Sequence, residues 1–259
     1  MAEIHGSNTR IYANGTDISG LFREAEWGRT RDIIDTTAFG DTADTGFASP
    51  ISGGDLTAAG MLEVDPSTGA RVVKDMLDAS NELAGATSVV VCMTRDTTIG
   101  DDGFALIGSM TNHRVKQPLK DVVQTTFDAK ATRALDVKAL QPLAAQTAAY
   151  STVGLDNTTS TAFGGVGVLT VTALSGTTPV LTAKLQHSSD TTDGVDGTWV
   201  DLATFATINA AAVAAGYADV QVVAPGTVNK RVRLNLAVTS GSLTSVTLTA
   251  QFGRYTTNY

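Results

Sequence analysis

The sequence holds one cysteine, three histidines and two tryptophans among 259 residues, and only 6% of its residues are aromatic. A single thiol excludes an internal disulfide and any site built from several cysteines. That thiol lies in the run Val89-Val90-Val91-Cys92-Met93, whose character reads as buried and apolar rather than reactive. His5, His113 and His187 are scattered, and none stands at the spacing of a metal motif, so neither a metal nor a cofactor is expected. No stretch approaches the ~18 apolar residues of a membrane helix, and no membrane insertion is expected. The first ten residues have no basic patch followed by an apolar run, so no secretion signal is read there and a reducing, aqueous place of synthesis is expected.

Catalytic motifs are equally scarce. There is no Gly-rich loop ending in Lys-Ser or Lys-Thr, no dinucleotide fingerprint and no Gly-X-Ser-X-Gly elbow. Ser52-Gly-Gly-Asp55 and Thr161 to Gly167 resemble phosphate loops only superficially, because neither joins a strand to a helix in an alternating α/β pattern. The acidic pairs Asp101-Asp102 and Glu24 with Glu26 read as solvated faces rather than the flanks of a cleft. Asp190, Asp193 and Asp196 lack the Gly and Glu of a calcium loop and read as a turn. The chain is therefore expected not to be an enzyme.

What the chain does have is apolar residues at 42%, enough for a sizeable core, and a net charge of -8. The charge is uneven: 20 acidic face 13 basic residues through position 140, and 6 face 5 thereafter. An acidic balance disfavours ordinary nucleic-acid binding, which needs basic groups to displace condensed counterions. It suits a surface past which nucleic acid slides without adhering. A small, polar, Pro-bearing stretch over 141–155 marks a linker, which sets two expected domains at 1–145 and 146–259.

In the first domain Thr9 to Ala13 reads as a strand entering an Asn14-Gly15 turn, and Phe22 to Thr37 as a long exposed strand or hairpin. Phe39 to Gly54, rich in Gly, Asp and Pro, reads as an acidic loop, either an intersubunit contact or a plain excursion. Leu56 to Val64 is a strand, and Asp65 to Gly85 a helix, with Asp65 as cap, Pro66 at its first position and Val72, Val73, Met76 and Leu77 along one side. Thr87 to Arg95, Gly103 to Lys116 and Val122 to Ala139 are further strands.

In the second domain Leu181, Ala183 and Leu185 share one parity, as do Val232, Leu234, Leu236 and Val238, and Val246, Leu248, Ala250 and Phe252. That period of two is the mark of strands with one face on a core. Ile208 to Gly216 is a short connecting helix or a packed loop, and Trp199 reads as a core anchor. The fold class expected is mainly β: a β-sandwich flanked by one helix, then a small Ig-like or similar antiparallel sandwich.

The words Gly6-Ser-Asn-Thr-Arg-Ile-Tyr-Ala-Asn-Gly-Thr-Asp-Ile-Ser-Gly20 and Trp27-Gly-Arg-Thr-Arg-Asp-Ile-Ile-Asp-Thr-Thr-Ala-Phe-Gly40 resemble the start of the major tail tube proteins of long-tailed bacteriophages. The resemblance runs, more loosely, to about residue 140. It implies a tail-tube-like sandwich of which six copies close into a ring, the rings stacking into a conduit for viral DNA. It also implies partners: other copies of the chain, and the tape measure, terminator and distal tail proteins. Double-stranded DNA would pass without specific binding, in a virion tail assembled in the host cytoplasm. Carried over, Phe39, Asp41, Asp44, Phe47, Pro50, Gly53 and Gly54 would belong to the ring-stacking loop. Glu24, Glu26, Arg29, Arg31, Asp128 and Lys130 are the lumen or ring-interface candidates. The second domain, through His187-Ser-Ser-Asp190 and Gly197-Thr-Trp-Val-Asp-Leu202, resembles the sandwich modules that decorate phage tails and touch host surfaces weakly or stabilise the particle. Two other readings stay open: another tail or head–tail connecting protein, and a glycan-binding surface adhesin.

Overall fold

The computed structural model describes residues 9–13, 16–35, 46–61, 88–116, 124–189 and 194–255. The helix expected over Asp65 to Gly85 and the Asn14-Gly15 turn lie outside the described residues. The architecture is mainly β, as expected, with a single short α-helix and sandwich-like sheets among the described residues. The chain forms two compact units, neither continuous in sequence: one of residues 1–19, 89–105 and 136–258, the other of residues 20–88 and 106–135.

The first unit is organised by two strands of 24 residues each, β10 (Gly165–Ser188) and β14 (Arg231–Arg254). They pair antiparallel along their whole length, from Gly165 opposite Arg254 to Ser188 opposite Arg231. The register slips only between Val171 and Leu181. There the backbone turns a corner: Gly176, Thr178 and Gly241 have φ of 148°, 46° and 72°. A Cβ at Gly241 would stand 2.1 Å from the Thr178 carbonyl oxygen, so only glycine fits this close approach. The ribbon doubles over, and residues from both of its ends share one core: Leu169, Val171, Leu248 and Ala250 with Leu181, Leu185, Leu234 and Leu236. All eight are essentially fully buried, each contributing roughly 1.5–3 kcal/mol for the larger side chains.

Short strands extend the two halves of this ribbon. β13 (Tyr217–Val223) and the end of β7 (Gln124–Gln146) flank one half. β11 (Val200–Thr204), β12 (Ile208–Asn209), β8 (Tyr150–Ser151) and β9 (Leu155–Asp156) flank the other. The Ala-rich segment expected as helix or loop forms one turn and a half, α1 (Ala210–Ala214), capped where the Asn209 side chain accepts from the Ala212 N–H at 2.9 Å. Beyond β7 the sheet continues through β6 (Asp102–Lys116), β5 (Ser88–Met93), β1 (Arg10–Ala13) and β2 (Thr16–Asp17). Cys92 is fully buried in β5, and burial pushes its thiol up to about 12, so it is the inert apolar residue expected.

The second unit carries β3 (Phe22–Asp35), β4 (Gly46–Met61), the beginning of β7 and the remainder of β6. β4 lies between β3 and β7, antiparallel to both. The compact units thus divide the chain differently from the expected domains 1–145 and 146–259. β7 ends at Gln146, at the expected boundary, but its last residues pair with Val246 to Phe252 and join the first unit. Linker composition marks where a strand stops and says nothing of which sheet that strand completes.

Candidate assembly surface

The three strands β3, β4 and β7 are locked in a register that alternates buried and exposed positions. Leu56, Ala58, Phe127 and Ala129 are buried, and the Phe22 ring meets that of Phe127 edge-on, 5.0 Å between centroids at 70°. The intervening positions form three rows across the sheet: Glu24, Ala59 and Thr126; Glu26, Thr57 and Asp128; Gly28, Asp55 and Lys130. Directly opposed residues of an antiparallel sheet share a face, so these rows make one surface. Glu24, Glu26, Asp55, Thr57 and Lys130 are exposed on it, and Asp128 is half-buried. The Thr57 hydroxyl donates to Asp128 Oδ1 at 2.9 Å. The surface therefore presents four carboxylates and one ammonium group.

The structure thus brings together Glu24, Glu26, Asp128 and Lys130. It adds Asp55 and Thr57, which sequence reasoning did not single out, although Asp55, Thr57 and Ala59 alternate with Leu56 and Ala58 as a half-exposed strand requires. Arg29 and Arg31 lie in β3, registered against Gly54 and Ser52.

The loop expected over Phe39 to Gly54 is shorter than the sequence suggested. Gly46 to Gly54, including Phe47, Pro50 and Gly53, belong to β4 and pair with β3 from Asp35 opposite Gly46 to Arg29 opposite Gly54. Pro50 sits where the register slips, between Ala48 opposite Ile33 and Ser52 opposite Arg31, a bulge where a missing N–H costs no ladder bond. Gly and Pro, read as punctuation, here mark an irregular strand. Phe39, Asp41 and Asp44 lie outside the described residues.

β3 is also an edge. Its 14 residues span about 45 Å, and β4 is the one strand it pairs with among the described residues. A long strand with one row of backbone donors and acceptors unpaired is a template for another chain.

Other acidic groups are structural. Asp101 Oδ1 accepts from the Arg95 guanidinium at 2.7 and 3.0 Å and from the Thr98 hydroxyl at 2.9 Å. Its Oδ2 accepts from the N–H groups of Thr97 and Thr98. Burial alone would raise the Asp101 carboxyl, but the bonds from Arg95, Thr97 and Thr98 outweigh it and hold the group well below the usual carboxylate range. Asp102 pairs instead with Lys138, 2.8 Å away. These two neighbours fix the turn between β5 and β6 and are not a catalytic couple. No group of three or more metal-ligating side chains occurs among the described residues, and Asp190 and Asp193 of the aspartate turn lie outside them.

Trp199 is not the core anchor expected. It is half-buried, its indole N–H donating to the Val195 carbonyl at 3.2 Å, with the Arg233 guanidinium 4.0 Å over its ring. The sandwich core is filled without it, by aliphatic side chains together with Phe205, Tyr217 and Phe252.

No family model matches the chain, and no curated protein does. Solved structures similar to it include three from phage or phage-like particles. The tail of an empty gene transfer agent particle, refined with C6 symmetry, is 10% identical, covering 50% of this chain and 94% of that one at a TM-score of 0.34. The SPP1 Dit protein, described as a hub of the adsorption apparatus in phages infecting Gram-positive hosts, is 10% identical over 95% of this chain and 99% of that one, TM-score 0.33. The SPP1 tail tube is 8% identical over 52% of this chain and 78% of that one, TM-score 0.40.

Proposed function

We propose that this chain is a structural subunit of a long phage tail, assembling with copies of itself into rings of six that stack into the tube conducting viral DNA. The observation that carries the reading is the edge of β3, a long strand with one partner among the described residues beside an acidic sheet face. An isolated subunit with such an edge is prone to uncontrolled pairing, and closure into a ring of identical copies removes the edge. The face bearing Glu24, Glu26, Asp55 and Asp128 would then line the bore, where like charge keeps the DNA backbone from adhering. The ten residues joining Asp35 to Gly46 would reach the neighbouring ring. The segment after Gln146 would stand on the outside as a decoration module, and tape measure, terminator and distal tail proteins would meet the tube at its ends and interior.

Negative-stain microscopy of the concentrated, purified protein tests this. Hollow rings or tubes are expected, and particles that stay monomeric at every concentration would refute it.

A further inference from the structure

A buried polar cluster joins four segments of the first unit. Tyr12 on β1 donates its phenol to Asp96 Oδ2 at 2.7 Å. Thr249 on β14 donates its hydroxyl to the Gln141 carbonyl of β7 at 3.0 Å and accepts from the Gln251 side-chain amide at 2.6 Å. Asp96, which follows β5, also faces the Thr249 hydroxyl and the Leu143 N–H. Asp96 and Gln141 are each 7% exposed, and Thr249 and Gln251 are wholly buried.

Counting protons exposes a deficit. Thr249 has a single hydroxyl proton, and the Gln141 carbonyl and the Asp96 carboxyl compete for it. Within this cluster two buried oxygens have no hydrogen-bond partner, Asp96 Oδ1 and Gln251 Oε1, and both belong to side chains that meet at Thr249. A buried ionised carboxylate beside surplus acceptors is costly, whereas one added proton turns the orphaned Oδ1 into the donor that the cluster lacks.

We infer that Asp96 is held as the neutral acid in the folded first unit, its Oδ1 hydroxyl donating into the Thr249–Gln251 end of the cluster, so that losing this proton loosens the joint between β1, β7 and β14. Burial pushes the Asp96 carboxyl up, against the opposing pull of Tyr12, Leu143 N–H, Thr249 and the Arg10 charge. Of the groups facing it, Arg10 on β1 is the charged one that favours ionisation; β7 and β14 present Gln141, Leu143 N–H, Thr249 and Gln251, none of which titrates. The linkage has a definite sign. A carboxyl raised on folding contributes its stability fully below the unfolded value of about 3.9 and loses it as pH rises through the folded value.

The test is a pH titration of the full chain, labelled with 13C at its aspartate carboxyl carbons and kept dilute, followed by NMR. The Asp96 resonance, assigned by its loss in Asp96→Asn, is expected to shift at a clearly higher pH than the ordinary aspartate value of about 3.9. Titration at or below that ordinary value would overturn the inference. Denaturant unfolding of wild type and Asp96→Asn gives a second reading. The stability of wild type relative to the variant should fall from pH 4 to pH 8, because the amide supplies a donor at every pH. A difference that stays constant, or grows in favour of wild type, would equally overturn it. Should the variant fail to fold, Tyr12→Phe assigns the resonance by the perturbation of its hydrogen-bond partner, and the wild-type titration decides alone.

Discussion

Thr57 and Asp128 stand opposite each other on β4 and β7, and the threonine hydroxyl donates to the carboxylate at 2.9 Å. That bond fixes the middle of an acidic row that begins with Glu26 on the β3 edge. It is made on an exposed face, so its worth lies in placing charge rather than in holding the fold. Thr57→Val is expected to cost at most about 1 kcal/mol in denaturant unfolding. A loss several times larger would mean that this face is packed rather than open.

Reversing the charge of the face tests its proposed role. Glu24→Lys with Glu26→Lys leaves the buried positions Leu56, Ala58, Phe127 and Ala129 untouched, and the fold should persist. Assembled particles of the double variant are expected to retain duplex DNA on sedimentation in a salt-dependent manner, whereas wild-type particles release it. Equal release by both would remove this face from the bore.

The connection from Asp35 to Gly46 can be shortened without touching the β3–β4 ladder, because those two residues are paired. Replacing residues 36–45 with Asn-Gly, which suits a two-residue hairpin, should leave a folded subunit whose tubes grow poorly. Unchanged growth by light scattering would exclude this segment from ring stacking.

Asp101 supplies a pH-dependent prediction opposite in sign to that for Asp96. Its carboxyl is held low by Arg95, Thr97 and Thr98, so the stability it contributes is present above the unfolded value of about 3.9 and lost as pH falls through the folded value. Asp101→Asn should therefore destabilise the protein by about 1–3 kcal/mol at neutral pH, with the difference narrowing in acid. A pH-independent difference in unfolding midpoint would contradict the assignment.

At the corner of the long ribbon, Gly241→Ala is expected to lower stability by at least about 1 kcal/mol, since its φ is 72° and the added Cβ would stand 2.1 Å from the Thr178 carbonyl. Thermal unfolding measures this directly, and an unaltered midpoint would show that the corner relaxes freely.

The alternation of Leu181, Ala183 and Leu185 and of Val232, Leu234 and Leu236 was legible in the sequence because burial on one sheet face repeats every second residue. Their mutual pairing over 24 residues was not, because periodicity names a face and not a partner. Glu24, Glu26, Asp128 and Lys130 could be picked out as charged residues on expected strands, but only the β3–β4–β7 register places them on one surface and adds Asp55. Gly53 and Gly54 misled in the other direction: permissive residues occur in strands as well as loops, and the pairing that holds them there comes from β3 and, at Gly54, also from Ala131 of β7, remote in sequence. Asp96 carried no signal, since its burial depends on Tyr12 and on Thr249 and Gln251, far along the chain.

The central claim is that copies of this chain complete the edge of β3. Hydrogen–deuterium exchange of dilute and assembled protein measures it directly at the amides of Phe22 to Asp35. The account predicts that these amides, alternate ones of which point away from β4, gain protection when particles form. Particles that form while exchange across β3 stays unchanged would contradict it.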